Sequence, residues 1–479
     1  MEKQTNVRGA LRQRVYKQLR EAIERGALQA GVRLPPSREH ARTLGVSRTT
    51  LLWALERLRA EGYVTGRVGD GSYVRDHATR RETKALSLSR SFVPAEVLSM
   101  RGRLLAETAL RWRPPLSAAK AFRIGAPEVA TFPFATWDRL ARQVTADQRR
   151  SAAQYLDPAG DPALRDAIAQ WLWASRGIRC EASRVLVCAG SQQALDLIGR
   201  LLLDVGDTAI VEDPGYPGLR ASLSANGALV HGVEVDAEGA SLETARRFAP
   251  LAKLAVVTPT HQFPTGVAMS LDRRQRWVDW ANQTNAWLVE DDYDGEFQYG
   301  QHPLPALCSL PAARRVIYVG TFSKSLHPGL RLGYLVLPEV LVPAFAMARA
   351  LTDRHSPGDS QAVLARFIAQ GHLVRHLSRM RELYLQRQNG LIEAVFEASR
   401  GRILLRPSDR GMHLLHELSG HTDDLRVSRA AEVRGVMLAP LSRYAMASPR
   451  RGWLFGYAAF SLHELRESAQ RIGLLLTGC

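Results

Sequence analysis

At 479 residues the chain is too long for one ordinary hydrophobic core, so two or more domains are expected. Its composition, 46% hydrophobic and 23% charged, excludes a disordered, collagenous or disulfide-scaffold protein. The net charge of +17 is unevenly spread: residues 1–80 hold 16 Lys+Arg against 8 Asp+Glu, so a polyanion partner is to be sought there.

No apolar run reaches the roughly eighteen residues a membrane span needs, and the N-terminal MEKQTNVRGALRQR has no signal-peptide core. The four cysteines, Cys180, Cys188, Cys308 and Cys479, lack CxxC spacing. That pattern argues against a zinc site or disulfide framework, and with the missing signal it predicts a cytoplasmic protein without a metal.

In the first segment Leu11, Val15, Leu19, Ala22 and Ile23 recur at helical spacing, which predicts an amphipathic helix over 10–25. A turn at Gly31–Pro36 leads to a short second helix, with Ser37 as its expected N-cap, ending at Leu44. After Gly45-Val46, Ser47 caps a third helix with Leu51, Ala54, Leu55 and Leu58 turned inward. Arg48, Thr49 and Thr50 stand at its amino end. Two short helices joined by a glycine turn make a helix-turn-helix, and the strand–glycine–strand pattern over 63–74 adds a hairpin wing. Residues 75–97, rich in Arg, Ser and Thr, lose periodicity and read as a tether.

The run RLPPSREHARTLGVSRTTLLWALERLRAEGYV followed by GRVGDGSYV resembles the winged-helix module of the GntR regulator superfamily. By that resemblance Arg38 and Arg48 contact DNA, Ser47, Thr49 and Thr50 meet phosphates or bases, and Gly69 sits at the wing tip. Leu52 departs from relatives that carry a basic residue there, so the sequence read need not be shared.

Beyond the tether, strand-like runs alternate with amphipathic stretches: 185–188, 208–211, 254–257, 287–289, 316–319 and 334–337 are strands, 193–203 and 273–285 helices. Such alternation predicts a largely parallel sheet with ligands gathered at the strand carboxyl ends. Gly190-Ser191-Gln192 opens a helix after a strand and suits a phosphate. Tyr216, past another strand end, is placed to stack on a planar ring. The acids of Glu290-Asp291-Asp292-Tyr293-Asp294 are a site for a pyridine nitrogen, a site for a divalent cation, or a solvated acidic turn. In YVGTFSKSLHPGLR a buried strand delivers Thr321, Ser323 and Lys324 into a turn, with Arg331 seven residues past the lysine. A lysine amine among hydroxyls and an arginine suits an aldehyde cofactor bearing a phosphate; otherwise it is a solvated surface lysine.

The order Gly-Ser-Gln, Tyr, Asp-x-Tyr, Ser-Lys, Arg resembles the fold type I aminotransferases that use pyridoxal 5′-phosphate. The resemblance implies Lys324 as the Schiff-base lysine, Asp291 as partner of the pyridine nitrogen and Tyr293 as donor to the ring hydroxyl. Tyr216 would stack on the ring; Ser191, Gln192, Thr321 and Arg331 would hold the phosphate. Tyr155, in QYLDPAG, would reach the phosphate of a neighbouring subunit, and Arg443, in PLSRY, would clamp an effector carboxylate. Where many of these enzymes have Asn-Pro-Thr-Gly this chain has Phe263-Pro264-Thr265-Gly266, leaving His261 or Gln262 to take over the asparagine's contact.

Together, EDPGYPGLR, TPTHQFPTG, VEDDYDGEF and GTFSKSLHPGLRLGY behind a GntR-like module resemble the MocR/GabR family of transcription regulators. The expected architecture is multidomain: an α+β winged helix-turn-helix over 1–76, a linker over 77–97, and an α/β fold type I transferase domain over 98–479. The last comprises a mostly parallel large domain and a smaller α+β C-terminal subdomain. The family implies a head-to-tail homodimer binding repeated half-sites on double-stranded DNA. It also implies response to an amine effector or pyridoxal 5′-phosphate. The competing reading is a working aminotransferase with an accessory DNA module.

Overall fold

The computed structural model describes residues 2–67, 70–75, 98–111, 120–145, 148, 150, 153–300, 304–419, 422–447 and 450–477. The linker expected over 77–97 and the wing-tip Gly69 lie outside them. The chain divides into two compact units, Met1–Pro94 and Ala95–Cys479.

The first unit runs α1 (Glu2–Glu24), α2 (Ser37–Thr43), α3 (Arg48–Ala60), β1 (Val64–Arg67) and β2 (Gly71–Val74). Its core is the set the helical spacing selects: Val15 and Leu19 from α1, Leu51, Ala54, Leu55 and Leu58 from α3, closed by Val64 and Val74 of the hairpin. Ser47 does cap α3, its hydroxyl accepting from the Thr50 amide at 3.2 Å. Ser37 does not cap α2. The helix starts one residue earlier than expected, with Pro36 at the cap position, and the Ser37 hydroxyl accepts from Arg48 Nε at 3.1 Å instead. Proline's fixed φ suits that position, so the serine is free for a tertiary bond.

The second unit is built on eight strands: β3 (Val185–Cys188), β4 (Thr208–Asp213), β5 (Leu229–Asp236), β6 (Gly239–Ala240), β7 (Leu254–Val257), β8 (Trp287–Asp292), β9 (Val316–Thr321) and β10 (Gly333–Val336). They lie in the order β3-β10-β9-β8-β7-β4-β5-β6. Neighbours from β9 to β5 pair parallel, while β10 pairs antiparallel with both β9 and β3. The central strands are continuous hydrophobic runs because both faces are covered. Alternation still sorts their side chains: Val289, Ile317 and Val319 enter one core cluster, Leu288 and Val316 another. Asp291 therefore shares a face with Val289, and Glu290 and Asp292 take the opposite one.

Past the long helix His372–Ala398, β11 (His413–Glu417), β12 (Ala439–Pro440) and β13 (Gly452–Gly456) form a small antiparallel sheet in the order β11-β13-β12. Helices Asp424–Val433 and Leu462–Thr477 complete this α+β subdomain. The segment at 121–125 returns to it through a bridge between Phe122 and Gly456. Among the described residues no helix is long and apolar enough to cross a membrane.

Candidate functional site

The carboxyl ends of β4, β7, β8 and β9 bring the predicted residues together. β9 ends at Thr321, whose hydroxyl accepts from the Ser323 amide at 3.2 Å and caps the single helical turn Phe322–Ser325. That turn carries Lys324 inward, where Nζ donates to the Gly125 carbonyl oxygen at 2.5 Å. Burial lowers the lysine's pKa from its usual value of 10.5, with the Arg123 guanidinium adding to the effect, and Asp294 and Asp291 opposing it. An amine pushed toward its neutral form is a nucleophile. Lys324 is no solvated surface lysine.

Asp291, 6% exposed, has an Oδ1 with no hydrogen-bond partner. Burial, then the charges of Asp292, Glu212 and Asp294, push its pKa from 3.8 to about 7. The rest of the acid run is divided by strand alternation. Asp292 pairs with Arg176 at 2.8 Å, both side chains 3% exposed, and accepts the Tyr318 hydroxyl at 2.5 Å. Glu290 accepts from the Cys308 amide at 3.3 Å. Among the described residues no group of His, Cys, Asp or Glu is placed to hold a metal ion. Asp291, buried and near enough to Lys324 to bear on its charge, suits a cationic ring nitrogen.

Tyr293 lies beside Asp291, its hydroxyl 2.9 Å from His261 Nδ1, which is also 2.8 Å from Asp294 Oδ2. Gln262 turns away from the pocket and locks its own loop. Its amide donates to Glu212 Oε2 and the Pro214 carbonyl, each at 3.0 Å, and its oxygen accepts from the Thr265 hydroxyl at 2.7 Å. Of the two candidates for the asparagine's place, only His261 reaches Tyr293.

The opposite rim suits a phosphate. Gly190 precedes the helix Ser191–Leu202, so Ser191 and Gln192 present first-turn amides. Arg331, exposed and at φ +52, donates to the Ala189 carbonyl at 2.8 Å. Gly190 sits at φ +93, a backbone conformation that other residues rarely adopt, and so favours glycine at the start of the cradle. The Tyr216 hydroxyl donates to Gln192 Oε1 at 3.2 Å, and its ring stands edge-on to Phe263 at 6.1 Å.

Two residues predicted for this unit are joined to the cluster by no hydrogen bond among the described residues, and one residue predicted for DNA serves a helix cap. Tyr155 is 81% exposed, beside Arg354 (5.2 Å) and His355 (6.3 Å). Arg443 is exposed, while the next residue, Tyr444, turns its ring edge-on to Phe263 at 5.2 Å. Thr50 is buried, its hydroxyl 2.8 Å from Ser47 Oγ, so it serves the cap and leaves Arg38, Ser47, Arg48 and Thr49 as the exposed set around α3.

Sequence reasoning missed Gly125, Asp213, Gly411, His413 and Tyr444. Asp213 accepts from the amides of Met446 (2.7 Å) and Ala447 (2.9 Å) and so anchors the loop that presents Tyr444. His413 faces His261 at 5.0 Å, and burial lowers its pKa to about 3. Asp213 and Tyr444 stand in the motifs EDPGYPGLR and PLSRY, but nothing local gives their roles, because the contacts themselves span long stretches of chain.

An orphaned buried carboxylate, a half-buried amine and a phosphate cradle fit pyridoxal 5′-phosphate. The comparisons agree. Residues 123–472 match the model of aminotransferase class I and II, and residues 11–74 that of the gntR family of bacterial regulatory proteins. The chain is 38% identical to the probable rhizopine catabolism regulatory protein MocR of Rhizobium meliloti over 95% of its length and 92% of that protein. It resembles Pyrococcus horikoshii kynurenine aminotransferase (TM-score 0.70, 26% identity), covering 82% of this chain and 98% of that one. Thermus thermophilus LysN, complexed with a phosphopyridoxyl-leucine, matches at TM-score 0.71 and 25% identity over 80% of this chain and 98% of that one. With the regulator match running across both units, the chain belongs to the MocR/GabR family of transcription regulators, whose GntR-type winged helix-turn-helix precedes a pyridoxal 5′-phosphate domain of aminotransferase fold.

Proposed function

We propose that the pocket around Lys324 senses a small-molecule amine, or pyridoxal 5′-phosphate itself, and that its occupancy alters operator binding without repeated turnover. The observation that carries this reading is the half-buried Lys324 amine, bonded to the Gly125 carbonyl and close enough to Asp291 to feel its charge, with Asp291 Oδ1 left without a partner. When bound, the cofactor supplies an aldehyde that condenses reversibly with primary amines and a ring that accepts electron density. Lys324 is the resident amine that an effector amine displaces. Asp291 keeps the ring nitrogen protonated, Tyr293 donates to the ring hydroxyl, and Tyr216 packs on the ring. Ser191, Gln192, Thr321 and Arg331 hold the phosphate.

The chain would act as a head-to-tail dimer over the domains 1–76, 77–97 and 98–479, with Tyr155 completing the partner's phosphate site. Its 81% exposure leaves the ring available for that role. Arg443, exposed next to Tyr444, suits an effector carboxylate. Two readers, each presenting Arg38, Ser47, Arg48 and Thr49, would engage repeated half-sites. Effector binding then biases two dimer arrangements by its different affinity for each.

The test begins with selection of binding sites from random duplexes. Fluorescence anisotropy then follows the loaded protein on its site during titration with amino acids and ω-amino acids, while oxo-acid product is assayed in the same samples. The expected result is one amine, or the cofactor, changing DNA affinity several-fold with roughly one product or fewer per chain. Repeated turnover with unchanged DNA affinity would overturn the proposal and favour an aminotransferase carrying an accessory module.

A further inference from the structure

His261 is 2% exposed, and its Nδ1 meets two oxygens: Asp294 Oδ2 at 2.8 Å and the Tyr293 hydroxyl at 2.9 Å. A neutral ring nitrogen carries either a proton or a lone pair, so Nδ1 cannot both donate to Asp294 and accept from Tyr293. An ionised carboxylate only accepts. Asp294 therefore fixes the proton on Nδ1, and the Tyr293 oxygen becomes a second acceptor of that proton. The tyrosine's own hydrogen is then free, with either Asp294 or a ligand oxygen as its recipient.

The rest of the ring's surroundings keep this arrangement rigid. Nε2 is buried without a partner, which gives it no competing claim on a proton. A Cβ on Gly411, at φ +82, would overlap the ring, and one on Gly266 would stand 3.3 Å from Nε2, so both glycines make room for the imidazole. His413, from β11, stacks obliquely at 5.0 Å and its Nε2–H donates to the Pro264 carbonyl oxygen, 3.0 Å away; burial keeps it neutral. Asp409, in the loop before β11, is neutralised by its paired Arg410. Asp291 and Glu212 are the further acids whose charge bears on Tyr293, and both raise its pKa as Asp294 does.

We propose that Asp294 and His261 are a positioning pair: the carboxylate holds the imidazole proton on Nδ1, and the imidazole holds the Tyr293 oxygen so that its hydroxyl hydrogen is donated to the cofactor's ring oxygen. The pair acts through Tyr293 and takes the place of the asparagine that Phe263 replaces. This rests on reading Tyr293 as the donor to the ring hydroxyl.

Two readouts test it. In cofactor-free protein labelled with ¹⁵N-histidine, two-bond ¹H–¹⁵N spectra are expected to show His261 protonated at Nδ1, and Asp294→Ala to move the proton to Nε2. An Nε2–H tautomer in the wild type overturns the proposal. In loaded protein, losing the donor to the ring oxygen leaves the chromophore holding its proton to higher pH. His261→Leu, which removes the imidazole and leaves the Asp294 charge in place, is expected to raise the pH midpoint of the Lys324-dependent absorbance by about one unit, the size of one hydrogen bond. In a Tyr293→Phe background the same substitution is expected to add nothing. His261→Asn, which keeps a donor near the Nδ1 position, is expected to restore the midpoint that His261→Leu loses. An equal shift in the Tyr293→Phe background, or none in the wild type, refutes action through Tyr293. Absence of any Lys324-dependent band would instead refute the cofactor reading, which the tautomer measurement does not depend on.

Discussion

Asp291→Asn is expected to stabilise the cofactor-free protein at high pH while weakening cofactor binding. In the folded chain Asp291 is raised from 3.8 to about 7, chiefly by burial. Below about pH 4 the group is neutral in folded and unfolded chains alike and costs nothing. As pH rises from about 4 to 7 the unfolded chain ionises while the folded one keeps its proton, so stability falls with pH; above about 7 the full cost is present. A carboxyl held about three pH units above its free value disfavours its charged form by about 4 kcal/mol. Asparagine has no such term. Burial raises Glu212, Glu290 and Glu296 as well, but they titrate in both proteins, so the difference isolates Asp291. Urea unfolding of the cofactor-free proteins is the assay. The stability difference, variant minus wild type, is expected to be about 3 kcal/mol larger at about pH 8 than at about pH 5. Adding the cofactor reverses the order, because its ring nitrogen supplies the missing partner to the aspartate. A difference that is the same at both pH values, or a variant less stable at the higher one, would refute the burial argument.

Arg48→Ala is expected to weaken binding to every duplex and to lower the slope of log affinity against log salt by about one, read by anisotropy over a salt series. Leu52→Ala, at a residue 38% exposed on the same helix, changes no charge and leaves that slope as it was. Gly411→Ala is expected to cost about 1–3 kcal/mol more than Gly177→Ala in thermal or urea unfolding. Both sites have positive φ, but a Cβ on Gly411 meets the His261 ring, whereas one on Gly177 meets nothing within 4 Å. Equal costs would show that backbone strain alone decides.

Much of this site was legible because its chemistry is carried by short local patterns. Val316–Thr321 is hydrophobic enough to be read as a buried strand, and the polar turn after it names Lys324. Ser47 announces α3 because a serine before an apolar helical period has one common use. The strand Leu229–Asp236, next to last in the sheet, was missed: LVHGVEVD mixes His, Gly and Glu into its alternation because only its later residues Val233 and Val235 are buried. The acid run could not be resolved from sequence alone, since four carboxylates in five residues look alike until strand alternation sends them to different faces. Long-range contacts left no local trace. The bond from Lys324 to Gly125 spans 199 residues and that from Asp213 to Met446 spans 233, and neither residue's neighbours encode its partner.

The central claim is that Lys324 binds pyridoxal 5′-phosphate in a pocket open to amines. The visible absorption spectrum of the purified protein, titrated with the cofactor and then with a panel of amines beside Lys324→Ala, tests it most directly. A saturable band present in the wild type, absent from the variant and moved by an amine is the expected result. No band, or one that persists unchanged in Lys324→Ala, would contradict the assignment of the lysine and with it the account of the site.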